Sequence, residues 1–477
     1  MTHRPHPLAA ALLLTSALAG LSGCATPNLG PAPGPKPPAA YAAERSLAAP
    51  ATEWPDDRWW RAYGDVDLDA LIDEALAASP DLAAAEARVR KANALAEQAR
   101  GQTLPRLDAA AQATWIKQSA NDGLSPAFVP SGWNDTGKTA LTLGYDLDLW
   151  GKTRATLAAA GKEAEAAEAD RDAARLTLST AVAAAWADFA RLYADRDAAE
   201  ADVRIRQGTR ELISQRAGAG LETEAAVQRA LAAEAAAKQE LASTNEQIGL
   251  ERDRIAALLG AGPDRGLALP RPGAQALRAF GLPADLHAGL IGRRPDVVAA
   301  RLRAEAAAQR IKAAKADFYP DITLSAVIGQ QSFGLADLFK AGSGWGAIGP
   351  AISLPIFTGG RIEGAYRGAR ADYDAAVASY DGSLTRAFQD VADVAVSERA
   401  LGERLAEARA ALDASDRARR LTSDRYRQGL AAYLDVLTAE DALVANRRAV
   451  ADLETRAFAL DVALVRALGG GFHSSNA

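Results

Sequence analysis

The chain has 477 residues, 24% of them charged, a formal net charge of −6 and no basic tract, which excludes nucleic-acid binding. Its one cysteine, Cys24, excludes disulfides within the chain and cysteine-based metal sites. The length exceeds what one hydrophobic core usually serves, and no segment after the leader is long and apolar enough for a transmembrane helix, so any membrane crossing must be made by strands.

Residues 1–23 read as a signal peptide. Arg4 supplies the basic start, and Leu8 to Ala19 is an apolar core too short for a permanent span. Leu21, Ser22, Gly23 and Cys24 resemble a bacterial lipobox, in which the leader is cut before the cysteine and the cysteine is acylated. Cys24 is therefore the expected lipid attachment, and Ala25 after it favours sorting to the outer membrane. Residues 24–65 read as a lipidated tether and docking segment: six prolines between Pro27 and Pro38 keep it extended, and Trp54, Trp59 and Trp60 mark where it meets folded protein.

A first structural repeat is expected over 66–270. It begins with helix from Leu68 to Arg100, broken at Ser79 and Pro80. Strands follow at about 105–117 and 139–150. In the second, Leu141, Leu143, Tyr145, Leu147 and Leu149 alternate with Thr142, Gly144, Asp146 and Asp148, a period of two. Lys152 to Ala217 contains no proline, and at 1.5 Å per residue it would form a helix of about 100 Å. Gly218 and Gly220 turn the chain back into a helix where Leu241, Ile248 and Ile255 fall seven apart, as in a coiled coil.

The second repeat, 271–477, follows the same plan, with strands at about 319–330 and 346–357, a proline-free run from Arg361 to Gln428, and a break at Gly429. Pro350 and Pro355 weaken the fourth strand. Leu384, Phe388, Val391 and Ala395, then Leu401, Leu405, Ala408 and Leu412, carry heptad-like spacing. The two halves match in register: Pro295 and Pro320 follow Pro80 and Pro105 by 215 residues, while Gly360 and Gly429 follow Gly151 and Gly220 by 209. Locked spacing of this kind means a duplicated supersecondary unit whose copies pack equivalently.

Each strand is about ten residues long, enough to cross a bilayer when tilted. Four strands cannot close a barrel, and an open edge cannot face lipid. Two copies would make a barrel plugged by its own side chains, whereas three copies would give twelve strands and room for water.

These segments resemble those of TolC-like outer-membrane efflux proteins, in the lipidated branch of the OprM/NodT type. The resemblance is carried by YDLDLWG at 145–151, RRPD at 293–296, FYPDITL at 318–324, PIFTGGR at 355–361, RYRQG at 425–429, YLDVL at 433–437 and ALGGG at 467–471. It implies a mainly α fold with membrane β: two tandem repeats of helix-strand-strand-long helix-helix in a homotrimer, with a twelve-stranded β-barrel continuous with a periplasmic α-helical barrel. It further implies an exit duct for small molecules, docked to a periplasmic adaptor and an inner-membrane efflux transporter, with outer-membrane lipid around the barrel. By position, Tyr426 matches a tyrosine that tethers the periplasmic gate, Leu434 a leucine that narrows the lumen, and Asp435 one of two ring aspartates. Thr438 and Ala431 depart from the pattern, so the resemblance supports one charged ring. Gly218, Gly220 and Gly429 would be the helix-tip turns.

No catalytic set is spelled out. The four histidines have no metal-ligand spacing, and no Ser/His/Asp arrangement is suggested. Gly344, Gly346 and Gly349 form a lone GxGxxG that leads into a strand, outside the strand-turn-helix setting of dinucleotide binding. An enzyme is not expected, and no cofactor beyond the lipid on Cys24. The competing readings are a type I secretion duct for proteins, a lipidated coiled-coil adaptor without a pore, and a lipid-anchored cell-wall enzyme. The paired strands in each repeat argue against the adaptor, and for the cell-wall enzyme no catalytic constellation is spelled out.

Overall fold

The computed structural model describes residues 26–119, 121, 129–273 and 280–473. Residues 1–23 and Cys24, where the signal peptide and lipid attachment are expected, lie outside the described residues. The chain forms two compact units, and each draws on both repeats. The larger pieces of one are Arg90–Ala166 and Arg301–Ser379; the other comprises Pro35–Val89, Ala167–Ala300 and Tyr380–Ala477.

In chain order the elements are β1 (Ala51–Thr52), α1 (Val66–Ala78), α2 (Pro80–Gly101), β2 (Arg106–Ile116), β3 (Asn134–Asp146), α3 (Lys152–Gly218), α4 (Glu224–Leu258), α5 (Asp264–Leu267), β4 (Leu282–Pro283), α6 (Leu286–Arg293), α7 (Pro295–Ala316), β5 (Asp321–Phe333), β6 (Gly344–Ser353), α8 (Arg361–Arg427) and α9 (Tyr433–Leu468). The duplication is exact in length where it matters: α2 and α7 each have 22 residues, and α3 and α8 each have 67.

The first unit is built on a four-stranded antiparallel sheet in the order β2-β3-β5-β6. Thus β2 and β6 are its edges. Pro350 sits in edge strand β6, where proline is tolerated, and Pro355 lies past the strand's end at Ser353. Strand β3 ends at Asp146, four residues short of the expected limit, although the alternation continues to Leu149. The reason is Asp148. Its carboxylate accepts from the backbone N–H of Thr153 at 3.1 Å and of Arg154 at 2.9 Å, so it caps α3 and takes the chain out of the ladder.

The second unit is helical. Trp59, Trp60 and Tyr63 are buried with Leu68, Ile72, Trp186 and Phe189 in its largest apolar cluster. Three indoles of the unit find a carboxylate: Trp60 donates to Asp69, Trp186 to Asp65, Trp54 to Asp285, each at 2.8 Å. A second cluster joins Leu286, Leu290 and Val297 to Leu384, Phe388 and Val391 of α8. The repeat shows again where helices end. Gly260 and Gly469 both close their return helices with positive φ, 72° and 92°. A Cβ on Gly260 would lie 2.7 Å from the Ala78 carbonyl oxygen, and one on Gly469 would lie 1.9 Å from that of Arg293, the residue 215 positions after Ala78.

Candidate functional site: the sheet faces and the hairpin tips

The sheet's register separates its faces. Leu107 lies opposite Leu143, which lies opposite Ala326, which lies opposite Ile348. With Ala109, Leu141, Tyr145, Ile322, Leu324, Ile328 and Ile352 they share one apolar face, left largely exposed among the described residues: Ile348 is 85% exposed. The other face carries Arg106, Asp108, Gln112, Thr142, Asp146, Thr323, Ser325 and Gln331, and Lys138 lies there with its Nζ 4.4 Å from the centre of the Trp345 ring. Exposed aromatics stand at both ends of the strands. At one, Trp150 stacks on Tyr319 at 4.7 Å and donates its indole N–H to the Pro320 carbonyl. At the other are Trp115, Trp133 and Phe339. An apolar band flanked by amphipathic rings suits a lipid bilayer, and the polar face suits water. Among the described residues no helix is long and apolar enough to cross a membrane.

In the helical unit, α3 with α4 and α8 with α9 form two hairpins. Both turn by the same means. Gly220 has φ 75° and Gly429 φ 76°. Each donates its N–H three residues back, to Ala217 and Tyr426, and the following Leu221 and Leu430 donate five residues back, to Arg216 and Arg425. This is a Schellman closure, and it needs the left-handed conformation that glycine adopts without cost. Gly218, expected to help the turn, is instead the last residue of α3, so Gly220 alone makes it.

Tyr426 is 2% exposed and packs with Ile213, Ala226, Ala230, Tyr433 and Val436, drawn from both hairpins. Its hydroxyl donates to Glu222 Oε1 at 2.8 Å, and the Arg216 guanidinium lies 4.9 Å from its ring centre. Burial first, then the Glu222 carboxylate, push the phenol well above its ordinary range, so the hydroxyl remains a donor at any physiological pH. Glu222 and Arg216 are not singled out by the sequence. Glu222 carries no motif, and only its place two residues after Gly220 points to it.

Leu434, Asp435 and Thr438 lie exposed on one face at the start of α9. Asp435 accepts from the Ala432 backbone N–H at 3.0 Å, and its carboxylate lies in the first turn, where the helix dipole favours it. Thr438 donates back to the Leu434 carbonyl at 2.9 Å. Tyr426 therefore joins the hairpins, whereas Leu434 and Asp435 are presented outward. Among the described residues no group of three or more His, Cys, Asp or Glu is placed to hold a metal ion.

The model of the family described as "Outer membrane efflux protein" matches residues 71–261 and 288–470. A multidrug resistance outer membrane protein of Escherichia coli K12, MdtP, is 30% identical, with 97% of each chain aligned. The fusaric acid resistance protein FusA of Burkholderia cepacia is 37% identical over 65% of this chain, which spans 59% of that protein's length. The crystal structure of the outer membrane protein VceC of Vibrio cholerae superposes with a TM-score of 0.83 at 46% identity, covering 88% of this chain and all of that one.

Proposed function

The chain belongs to the outer membrane efflux protein family and is an outer-membrane efflux channel; from that premise we propose that three copies form a passive exit duct for small molecules handed over by an inner-membrane transporter and a periplasmic adaptor. The observation that carries the reading is the sheet: among the described residues, four antiparallel strands with an exposed apolar face, a polar opposite face, and edges β2 and β6 without a strand partner. Lipid offers no hydrogen bonds to those edges, so sister copies must supply them, and three chains make a twelve-stranded cylinder with a water-filled lumen. The polar residues from Arg106 to Gln331 then line the lumen, and Leu107, Leu141, Ile348 and Ile352 face lipid.

In this reading the first and second hairpins alternate around the periplasmic mouth. Tyr426 holds one against the other through Glu222, while Leu434 narrows the lumen and Asp435 rings it with negative charge, favouring cations. An acylated Cys24 adds an anchor beside the barrel. No enzymatic step and no cofactor are part of the reading, because the driving energy belongs to the transporter. Conductance in planar bilayers tests it. Purified trimers should pass ions, cations in preference, and Asp435→Ala should reduce that preference. Trimers that never conduct, even after loss of the Tyr426 hydroxyl, would overturn the duct.

A further inference from the structure

Deeper in the two hairpins lies a buried cluster of charge that the tip contacts do not include. Arg206 of α3 is 6% exposed and meets three carboxylates. Its Nε donates to Asp202 on its own helix at 3.2 Å, Nη1 to Glu440 Oε2 at 3.0 Å, and Nη2 to Asp441 at 2.5 Å. Glu440 of α9 is 2% exposed, and its other oxygen accepts from the Thr209 hydroxyl of α3 at 2.8 Å. Arg206 stands ten residues before Arg216 on α3, so the cluster sits about 15 Å along the helix from the tip contact.

The duplication shows that the fold does not require this cluster. The positions 209 residues away hold Ser415 for Arg206, Leu231 for Glu440, Ala411 for Asp202 and Ala418 for Thr209. The duplicated helices thus carry no charge at these four positions. At the α3–α9 pairing a guanidinium and a carboxylate are carried into a desolvated seam. Burying ions costs free energy that apolar packing of similar volume would avoid, so such a cluster contributes little to net stability. What it does supply is a discrete state. Once the helices part, both ions regain water. While they touch, losing Arg206 leaves Glu440 buried with the Thr209 hydroxyl donating to it, whereas losing Glu440 leaves Arg206 with Asp202 and Asp441.

Resting on the duct reading, we propose that Arg206 and Glu440 form a second clasp between the two hairpins, set deeper than the Tyr426–Glu222 contact, and that the periplasmic mouth opens only when both have released. The tip contact is one hydrogen bond from a neutral phenol. Its acceptor is a carboxylate, so both contacts are charge-assisted; the deeper one differs in having two bonds across the helices, to Glu440 and Asp441, from a rigid guanidinium. Loss of the first alone lets the tip separate locally, with the second holding α9 to α3. Arg206 is a positioning residue here, acting through the spacing of the helices.

The test compares wild type, Tyr426→Phe, Arg206→Met, Arg206→Lys and the double variant Arg206→Met/Glu440→Gln as trimers in planar bilayers. Arg206→Met should raise open probability tenfold or more, beyond the effect of Tyr426→Phe. Arg206→Lys, which keeps the charge without the fork, should lie between it and wild type. The double variant, which removes the clasp without leaving Glu440 charged and unpaired, should also stay above wild type; its return to the wild-type open probability would assign the effect of Arg206→Met to the stranded carboxylate and overturn the clasp. Arg206→Met within twofold of wild type, with Tyr426→Phe raised, overturns the clasp and leaves the duct intact. If Arg206→Met does not assemble, Arg206→Lys at the wild-type open probability overturns it equally. Silence of every variant overturns the duct. The clasp is then judged by spin labels at the exposed positions 204 and 442 in a Cys24→Ser background: a distance distribution that broadens in Arg206→Met supports it, and an unchanged one overturns it.

Discussion

Two glycines with the same conformation and different surroundings separate handedness from space. Gly429 has φ 76° and nothing within 4 Å of where a Cβ would stand, whereas at Gly469, with φ 92°, a Cβ would meet the Arg293 carbonyl oxygen. Gly429→Ala should therefore cost only the roughly 1–2 kcal/mol of left-handed backbone. Gly469→Ala adds overpacking against a main-chain atom, typically a further 1–3 kcal/mol or so, and should lower the melting temperature of the helical unit visibly more. Equal losses in thermal unfolding would remove this account. Gly429 was legible in the sequence from the repeat spacing, and Gly469 from the ALGGG segment at 467–471. Their differing tolerance was not, since Arg293 is distant along the chain. Tyr426 shows the same limit: its hydroxyl partner Glu222 lies 204 residues away, across a hairpin pairing that no local pattern encodes. Tyr426→Phe removes a bond to a charged group, worth about 1.5–3 kcal/mol. Open probability should rise about tenfold for each 1.4 kcal/mol lost, and single-channel records unchanged from wild type would count against a tether there.

Elements are held by a few polar links whose sign with pH can be worked out. Arg294, just before α7, donates to both oxygens of Asp296, at 3.0 and 2.7 Å, and to Asp390 of α8 at 2.7 Å. Burial would raise the Asp296 carboxyl, but the Arg294 hydrogen bonds and charge outweigh it, and the folded-state value lies below the ordinary one of 3.8. A depressed carboxylate contributes stability that is fully present above its unfolded value and is lost as pH falls through the folded one. The share of stability that Asp296 contributes to the helical unit should thus be level from neutrality down to about pH 5, then be lost below about pH 4. Asp296→Asn should flatten that acid limb, and a melting series in which it stays as steep would remove Asp296 from the cause. The strands show why element limits read from alternation overshoot. Leu147 and Leu149 keep the period of β3, yet Asp148 between them serves the first turn of α3. A residue fit for two elements goes to the one whose orphan N–H groups it satisfies.

At the scale of the whole molecule, the two faces of the sheet make opposite demands on the same kind of substitution. Leu143 and Thr142 are neighbours in β3 on opposite faces, and the pairing of Leu143 with Leu107 and Ala326 fixes which is which. If three sheets close into a barrel, Leu143→Arg places a cation against acyl chains and should cost about 2–4 kcal/mol per chain near the bilayer centre. Thr142→Arg places it in water and should leave assembly unchanged while altering ion preference. Trimer recovery on unheated gels distinguishes the two, and equal losses would mean that the apolar face meets protein, as in a soluble sandwich. The same closure decides what the lipid is for. A single acyl chain binds a membrane only marginally, at about 0.8 kcal/mol per buried CH₂, and stable anchoring by lipid takes two signals. In the proposed trimer, twelve strands with a lipid-facing band would exceed that many times over, so the barrel would hold the protein in the membrane and an acyl group on Cys24 would guide where it is delivered. Cys24→Ser should therefore still yield trimers that resist extraction from membranes with carbonate, in reduced amount wherever sorting depends on the lipid. Recovery of the variant wholly as soluble monomers would show that the acyl group is the anchor and that the sheet does not close around lipid-facing strands.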